Sequence, residues 1–241
     1  MLWQMLFVVG LALVHAGAGK LRYLKAIPRS AWLSFAGGVS VAYVFIHVFP
    51  ELEEAQQALD EHGAVAFLEY HAYLVALAGL VTFYGLERWV KRHLGTDQER
   101  TSASQGKKKV GIFWLHIGSF ALYNALIGYL LVYRENAPLE MLFFFLAMSF
   151  HFLVNDHGLV QHHRNVYLSQ GRWVLALAVI IGWIIGRSVN VSEATTSTLF
   201  AFLAGGIVLN VLKEELPEER QSRFWPFASG AAGYSALLLI A

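Results

Sequence analysis

The feature of this 241-residue sequence that most constrains its fold is a series of apolar segments, each about as long as a bilayer-spanning helix. A transmembrane α-helix needs about 20 mostly apolar residues, and hydrophobic residues make up 56% of the chain. Only 15% of the residues are charged, whereas a soluble domain carries about 25%, and the mean hydropathy is +0.49. The sequence therefore predicts an all-α integral membrane protein with one membrane domain.

Eight spans are predicted, and the first is interpreted as a membrane helix rather than a cleaved signal peptide because it has no basic region at its start. The spans cover residues 1–18, 30–50, 65–86, 110–133, 139–160, 171–187, 194–213 and 224–241. Residues 93–109 are rich in Ser, Gly and Lys, which predicts a flexible cytoplasmic loop. The acidic stretch of residues 50–63 is predicted to be an external loop.

The basic residues predict the orientation of the bundle. With eight spans, 16 of the 18 Lys and Arg residues fall on one side of the membrane, and only Arg134 and Arg187 fall on the other. Cytoplasmic loops carry the excess of basic residues, so both termini are predicted to lie outside the cytoplasm, in a plasma (inner) membrane. The net charge of +1 argues against a nucleic-acid partner, and the absence of cysteine excludes thiolate ligands and iron–sulfur clusters.

The fifth span contains polar groups that are costly in hydrocarbon. In the stretch FFFLAMSFHFLVNDHGLVQHHR, residues 143–164, His151 and Asn155 share a helical face and Asp156 lies beside it. Imidazole and carboxylate are natural ligands of zinc and similar ions, so these three residues are candidate metal ligands. Alternatively, the histidine hydrogen-bonds to a neighbouring helix and the aspartate reaches water.

Weaker candidates lie in other spans. His116 and Asn124 in the fourth span are possible additional ligands, although Asn124 is also suited to bridging helices. A second set of polar residues, near the span ends, is predicted to line a path for the ion. This set consists of His47, Glu51, Asn210, Glu214, Glu218, His162 and His163.

Two segments of the chain are similar in sequence. The second span reads AGGVSVAYVFIHVFPELEE, and the seventh reads AGGIVLNVLKEELPEE. Both begin with small residues, which allow close helix packing, and both end in proline followed by glutamates. The charge rule makes the two segments antiparallel, as in an inverted-repeat transporter. Chance similarity of two helix ends is the alternative.

With these motifs, the chain resembles the Zrt/Irt-like (ZIP) metal transporters. IHVFPELEEA is similar to that family's H-x-x-P-E ending of the second span, and LFAFLAGGIVLNVLKEELPEE is similar to its seventh span. LAMSFHFLVNDHGL lines up with the family motif H-E-x-P-H-E, in which His151, Phe152, Asn155 and Asp156 take the four ligand positions. The resemblance implies an eight-helix bundle with a 3+2+3 inverted-repeat arrangement.

The sequence departs from this family in the fourth span. Ser119, Phe120 and Tyr123 stand where the family has metal ligands, Phe152 replaces a carboxylate, and Val154 replaces the proline that kinks the fifth helix. The resemblance therefore implies one reduced midplane site rather than a two-metal site.

The leading hypothesis is a carrier, not an enzyme, which moves a divalent cation toward the cytoplasm by alternating access. Zinc is the first choice of cargo, with iron or manganese as alternatives, and no organic cofactor is implied. A possible homodimer is left open. The alternatives are a diverged sensor or scaffold with the same fold but no transport, an intramembrane metal hydrolase, and a haem protein.

Overall fold

The computed structural model describes six parts of the chain. They are residues 2–19, 31–62, 70–95, 103–133, 138–215 and 223–240. Within them the chain is helical apart from short turns and connections, and it contains no β-strand. The prediction of an all-α protein is confirmed at this level.

Six helical stretches among the described residues are long and apolar enough to cross a membrane, in agreement with the predicted membrane character. They are Leu2–Gly19, Ala31–Asp60, Phe113–Leu130, Met141–Val160, Arg164–Ser188 and Glu193–Lys213. The two remaining predicted spans also contain helices. The third predicted span contains the helix His71–Gly95, which ends in a strongly charged segment. The eighth contains the helix Phe224–Ile240, whose described part is 17 residues long.

The helices are numbered in chain order over the described residues. They are α1 (Leu2–Ala16), α2 (Ala31–Tyr43), α3 (Phe49–His62), α4 (His71–Gly95), α5 (Ala103–Leu130), α6 (Pro138–Val166), α7 (Arg172–Ser188), α8 (Glu193–Glu215) and α9 (Phe224–Ile240). Two π-helical turns, Val44–Val48 and Tyr167–Gly171, connect α2 to α3 and α6 to α7. The helix pairs α2–α3 and α6–α7 therefore continue without a loop.

Two predicted loops are wrong in part. Residues 50–62 belong to α3 rather than to an external loop, because Pro50 is tolerated in a first helical turn and Glu, Ala, Gln and Leu favour helix. Leu52, Ala55 and Leu59 also give this helix a buried apolar face. Of the predicted loop 93–109, residues 93–95 end α4 and 103–109 begin α5, while 96–102 lie outside the described residues.

The first π-helical turn has a local cause in the sequence. The Phe49 N–H donates to the Val44 carbonyl, five residues back, where an α-helix would use the residue four back. Pro50 follows directly and has no N–H, so it cannot continue the α-helical ladder. The extra residue in this turn sets the direction in which the side chains of α3 point.

Glycines bring three pairs of helices into backbone contact. A Cβ on Gly38 of α2 would meet the Phe227 carbonyl of α9, and one on Gly230 of α9 would meet the Phe35 carbonyl. Between α8 and α4 the arrangement is the same. There a Cβ on Gly205 would meet the Ala76 carbonyl, and one on Gly79 would meet the Phe202 carbonyl. Between α5 and α7, a Cβ on Gly128 would meet the Val179 carbonyl, and one on Gly182 would meet the Ala125 carbonyl. Small residues at such positions allow close helix packing in membranes.

Helix α6 lies at the centre of the bundle. Of 18 consecutive residues within its Met141–Val160 stretch 72% are buried, against 33% of 18 consecutive residues within Arg164–Ser188, which contains α7. It packs against α1, α2 and α8. By contrast, α7 exposes large apolar side chains such as Leu177, Ile181 and Ile184, as expected of a lipid-facing helix. The polar groups in the middle of α6, from His151 to His157, are therefore held inside the protein.

Candidate functional site

The central position of α6 buries the polar cluster of the fifth predicted span. His151, Asn155 and His157 are each 5% exposed, and Asp156 is fully buried. Their neighbours Phe152 and Val154 are buried as well, so the backbone here is surrounded on all sides. A carboxylate in such a place needs a compensating positive charge or several hydrogen bonds.

The main partner of Asp156 is His15, on α1. The His15 Nδ1 lies 2.8 Å from the Asp156 Oδ1, and both side chains are fully buried. The same oxygen accepts a hydrogen bond of 2.5 Å from the Tyr167 hydroxyl in the second π-helical turn. One carboxylate oxygen of α6 thus contacts both α1 and the second π-helical turn.

The second ring nitrogen of His15 contacts the candidate ligand Asn124. His15 Nε2 lies 3.0 Å from the Asn124 Oδ1, and the Asn124 amide donates to the Phe120 carbonyl at 2.7 Å. Both nitrogens of His15 therefore face oxygen acceptors, which is the pattern that a protonated imidazole satisfies. The ring also stacks on Phe152, with 4.4 Å between centroids.

The other oxygen of Asp156, Oδ2, is buried and has no hydrogen-bond partner among the described residues. The same holds for the amide nitrogen of Asn155, one residue earlier. A buried polar atom without a partner costs about 1–3 kcal/mol, and more if it is charged. The pair with His15 therefore leaves part of the carboxylate unsatisfied.

His151 belongs to a second, adjoining set of contacts. Its Nε2 lies 3.0 Å from the Tyr123 hydroxyl on α5, and Asn210 on α8 is within hydrogen-bonding reach of the same hydroxyl. The ring of Phe152 lies between the two sets, since it is 6.3 Å from His151 and stacks on His15. Four helices, α1, α5, α6 and α8, thus contribute polar groups to one region of the interior.

The predicted path residues are distributed over both ends of the bundle. At the end predicted to be external, His47 and Glu51 line a cavity of about 520 Å³, together with Glu54 and Glu193. At the other end, His116 and Asn210 line a small cavity of about 20 Å³. The side chains of Glu214, His162 and His163, and the whole of Glu218, lie outside the described residues.

The structure brings some predicted ligands together and keeps others apart. Asn124 and Asp156 meet at one imidazole, whereas His151 pairs with Tyr123 and His116 lies in a separate cavity. Among the described residues, no three His, Asp or Glu side chains converge as they would around a metal ion. The predicted ligand set therefore stays a prediction, and His116 lies apart from its other members.

Two residues of this network were absent from the sequence prediction. His15 is the only histidine in the first predicted span and lies near its end, and this isolation was the signal available for it. Tyr167 follows α6 in a π-helical turn, and nothing in its local sequence indicates that it reaches back to Asp156. Arg172 also links this region to α1, since its guanidinium group donates a hydrogen bond of 3.1 Å to the Ala16 carbonyl.

Comparisons with known proteins add no family to this description. No protein-family model, no curated protein and no solved structure matches the chain. The resemblance to the ZIP transporters therefore remains a prediction from the motifs of the sequence.

Proposed function

We propose that this protein is a ZIP-like membrane carrier that moves a divalent cation toward the cytoplasm, with Asp156 at the centre of its path. The observation that carries the proposal is the buried Asp156 carboxylate, one oxygen of which has no partner among the described residues. An ionised carboxylate in a membrane interior is expensive and is typical of an ion path. A bound cation would satisfy the oxygen that the protein leaves unsatisfied.

The groups around Asp156 suit such a cargo. Carboxylate, imidazole and amide oxygen are all ligand types for zinc, iron or manganese, and Asp156, His15 and Asn124 supply one of each. Without cargo, His15 provides the opposite charge for the carboxylate. A cation bound at the second oxygen of Asp156 would take over this role.

The outer cavity is the proposed access path. It is lined by the carboxylates of Glu51, Glu54 and Glu193, and His47 lies on the same wall. A cleft with charges of one sign concentrates ions of the opposite sign and speeds their arrival. The charge rule predicts that this cavity is on the external side, as an uptake carrier in a plasma membrane requires.

A 3+2+3 inverted repeat is part of the proposal. Two of the three glycine-mediated helix pairs support it, because they have the same contact register and the repeat relates one pair to the other. Gly38 with Gly230 joins the second and eighth spans, and Gly205 with Gly79 joins the seventh and third. A two-fold relation between spans 1–3 and 6–8 exchanges these two pairs. Alternating access in such transporters uses one repeat moving against the other.

A second candidate function is a non-transporting membrane protein with the same fold. Two observations favour it: the Phe152 ring stacks on His15, and the Tyr123 hydroxyl pairs with His151. Both aromatic side chains are buried and fill space next to the candidate ligands. A permanently closed centre of this kind would serve a sensor or scaffold.

Flux into proteoliposomes separates the two candidates. We expect saturable uptake of zinc, iron or manganese by the wild type, and its loss in the double variant His151→Ala/Asp156→Asn. His71→Gln is the matched control, because His71 is a buried histidine near a carboxylate but outside the central network.

The control variant should transport like the wild type. Correct folding of each variant is checked by size-exclusion chromatography before flux is measured. Absence of flux for all three ions in the folded wild type would refute the proposed transport and favour the non-transporting protein.

A further inference from the structure

A small cavity between α4, α5 and α8 contains polar groups that the central network does not use. Its volume is about 20 Å³, enough for one water-sized species. The polar side chains on its walls come from all three helices. They are Glu87, His116, Ser119, Tyr123 and Asn210.

The cavity is linked to the central network by one hydroxyl group. Tyr123 lines the cavity and pairs with His151 at 3.0 Å. Asn210, which also lines the cavity, is within hydrogen-bonding reach of the same hydroxyl. An ion in this cavity would therefore be one side chain away from the candidate ligands of α6, toward the end of the bundle predicted to be cytoplasmic.

The carboxylate of the cavity is paired with a basic residue of the facing helix. Lys213 Nζ on α8 lies 2.7 Å from the Glu87 Oε2 on α4, and the two side chains are 27% and 12% exposed. The pair lies two helical turns beyond the Gly79–Gly205 contact, where the two backbones already touch. The ammonium group thus supplies the positive charge that Glu87 needs in a partly buried place.

We infer that this cavity is a second cation-binding site, formed by Glu87, His116 and Asn210. When no ion is bound there, the Lys213 ammonium group pairs with the Glu87 carboxylate. The inference rests on the proposed function, because the site lies on the same path. An imidazole beside oxygen ligands favours transition-metal ions such as zinc, manganese or cobalt over magnesium and calcium. The incoming ion displaces the Lys213 ammonium from the carboxylate.

Cobalt binding to the purified full-length protein tests this site directly. Bound Co²⁺ is counted by equilibrium dialysis, and its visible spectrum reports on nitrogen and oxygen ligands. Glu87→Gln and His116→Gln should each weaken one class of Co²⁺ sites by roughly tenfold or more, since even outer-shell changes at metal sites cost 10–100-fold in affinity. Glu53→Gln is the control, because Glu53 is exposed and accepts a hydrogen bond from Tyr73.

Lys213→Gln gives a result of opposite sign, which loss of folding cannot imitate. Removal of the competing ammonium should tighten Co²⁺ binding several-fold. Unchanged binding in both Glu87→Gln and His116→Gln, or weaker binding in Lys213→Gln, would overturn the inference.

Asp156→Asn separates this inference from the proposed function. The class of Co²⁺-binding sites that depends on Glu87 should persist in this variant. Loss of that class would overturn the assignment of this binding site to a separate cavity. If the folded wild type shows that Co²⁺ class but transports none of the three ions, the proposed function fails and the cavity site stands.

Discussion

The pair formed by His15 and Asp156 gives the sharpest quantitative prediction. We consider His15→Leu, which removes the imidazole and leaves the carboxylate in a fully buried position. At the observed 2.8 Å, a protonated His15 and an ionised Asp156 would attract by about 6 kcal/mol with an effective dielectric constant of about 20. Desolvation offsets part of this attraction, and removal of one partner from a buried ion pair costs about 3–5 kcal/mol.

The double variant His15→Leu/Asp156→Asn supplies the decisive comparison. It removes both charges, so the buried interior no longer contains an uncompensated carboxylate. We expect the double variant to be more stable than His15→Leu alone by about 2 kcal/mol or more, because the penalty of an unpaired buried charge is gone. A second substitution that restores stability is unusual and points to coupling between the two sites.

His71→Leu is the matched control for this cycle. His71 is 3% exposed and lies 3.5 Å from the Asp60 carboxylate, but Asp60 is 53% exposed. Water screens that carboxylate when the imidazole is removed, so the loss of the ion pair should cost less than about 1 kcal/mol. The comparison separates the effect of a buried charge from the effect of losing a histidine.

Thermal unfolding in detergent measures these differences. The chain has no cysteine, so thiol-reactive dyes cannot report unfolding, but its seven tryptophans allow fluorescence detection. We expect His15→Leu to lower Tm by on the order of 10 °C. A His15→Leu variant as stable as the wild type, or a double variant no more stable than the single one, would refute the assignment of a buried ion pair.

Three further predictions concern other parts of the molecule. Gly205→Val should destabilise the protein by about 1–3 kcal/mol in the same thermal assay, because its side chain meets a backbone carbonyl of α4; Gly118→Val, where a Cβ meets nothing within 4 Å, should be near neutral. Tyr167→Phe should cost about 1.5–3 kcal/mol, since it removes a hydrogen bond to a buried carboxylate. Glu51→Gln/Glu54→Gln should slow cation uptake about tenfold at low ionic strength, and the difference should shrink in high salt.

The helical fold was predictable because the pattern that specifies it is local. Runs of apolar residues predict membrane helices from length and composition alone, and helices lie in all eight predicted stretches. The errors occurred where polar residues were taken to mean a loop. Residues 50–62 are polar but contain strong helix formers, and Leu52 and Leu59 give them a face to bury.

The candidate site was predictable only in part because its partners are distant in sequence. Asp156 and Asn124 were recognisable as polar groups inside apolar spans. Their common partner, His15, is 141 residues from Asp156 and 109 from Asn124. Helical periodicity relates residues within one helix, so it cannot indicate which faces of α1, α5 and α6 meet.

The π-helical turn at Val44–Val48 has a consequence for the outer cavity. This turn contains one residue more than an α-helix would need for the same hydrogen-bond ladder. If it became α-helical, everything after it would rotate by about 100° about the helix axis and shift by about 1.5 Å. Glu51 and Glu54 would then swing away from the cavity that they line. The extra residue in this turn therefore determines the rotation of α3 about its own axis. That rotation decides whether Glu51 and Glu54 face the outer cavity.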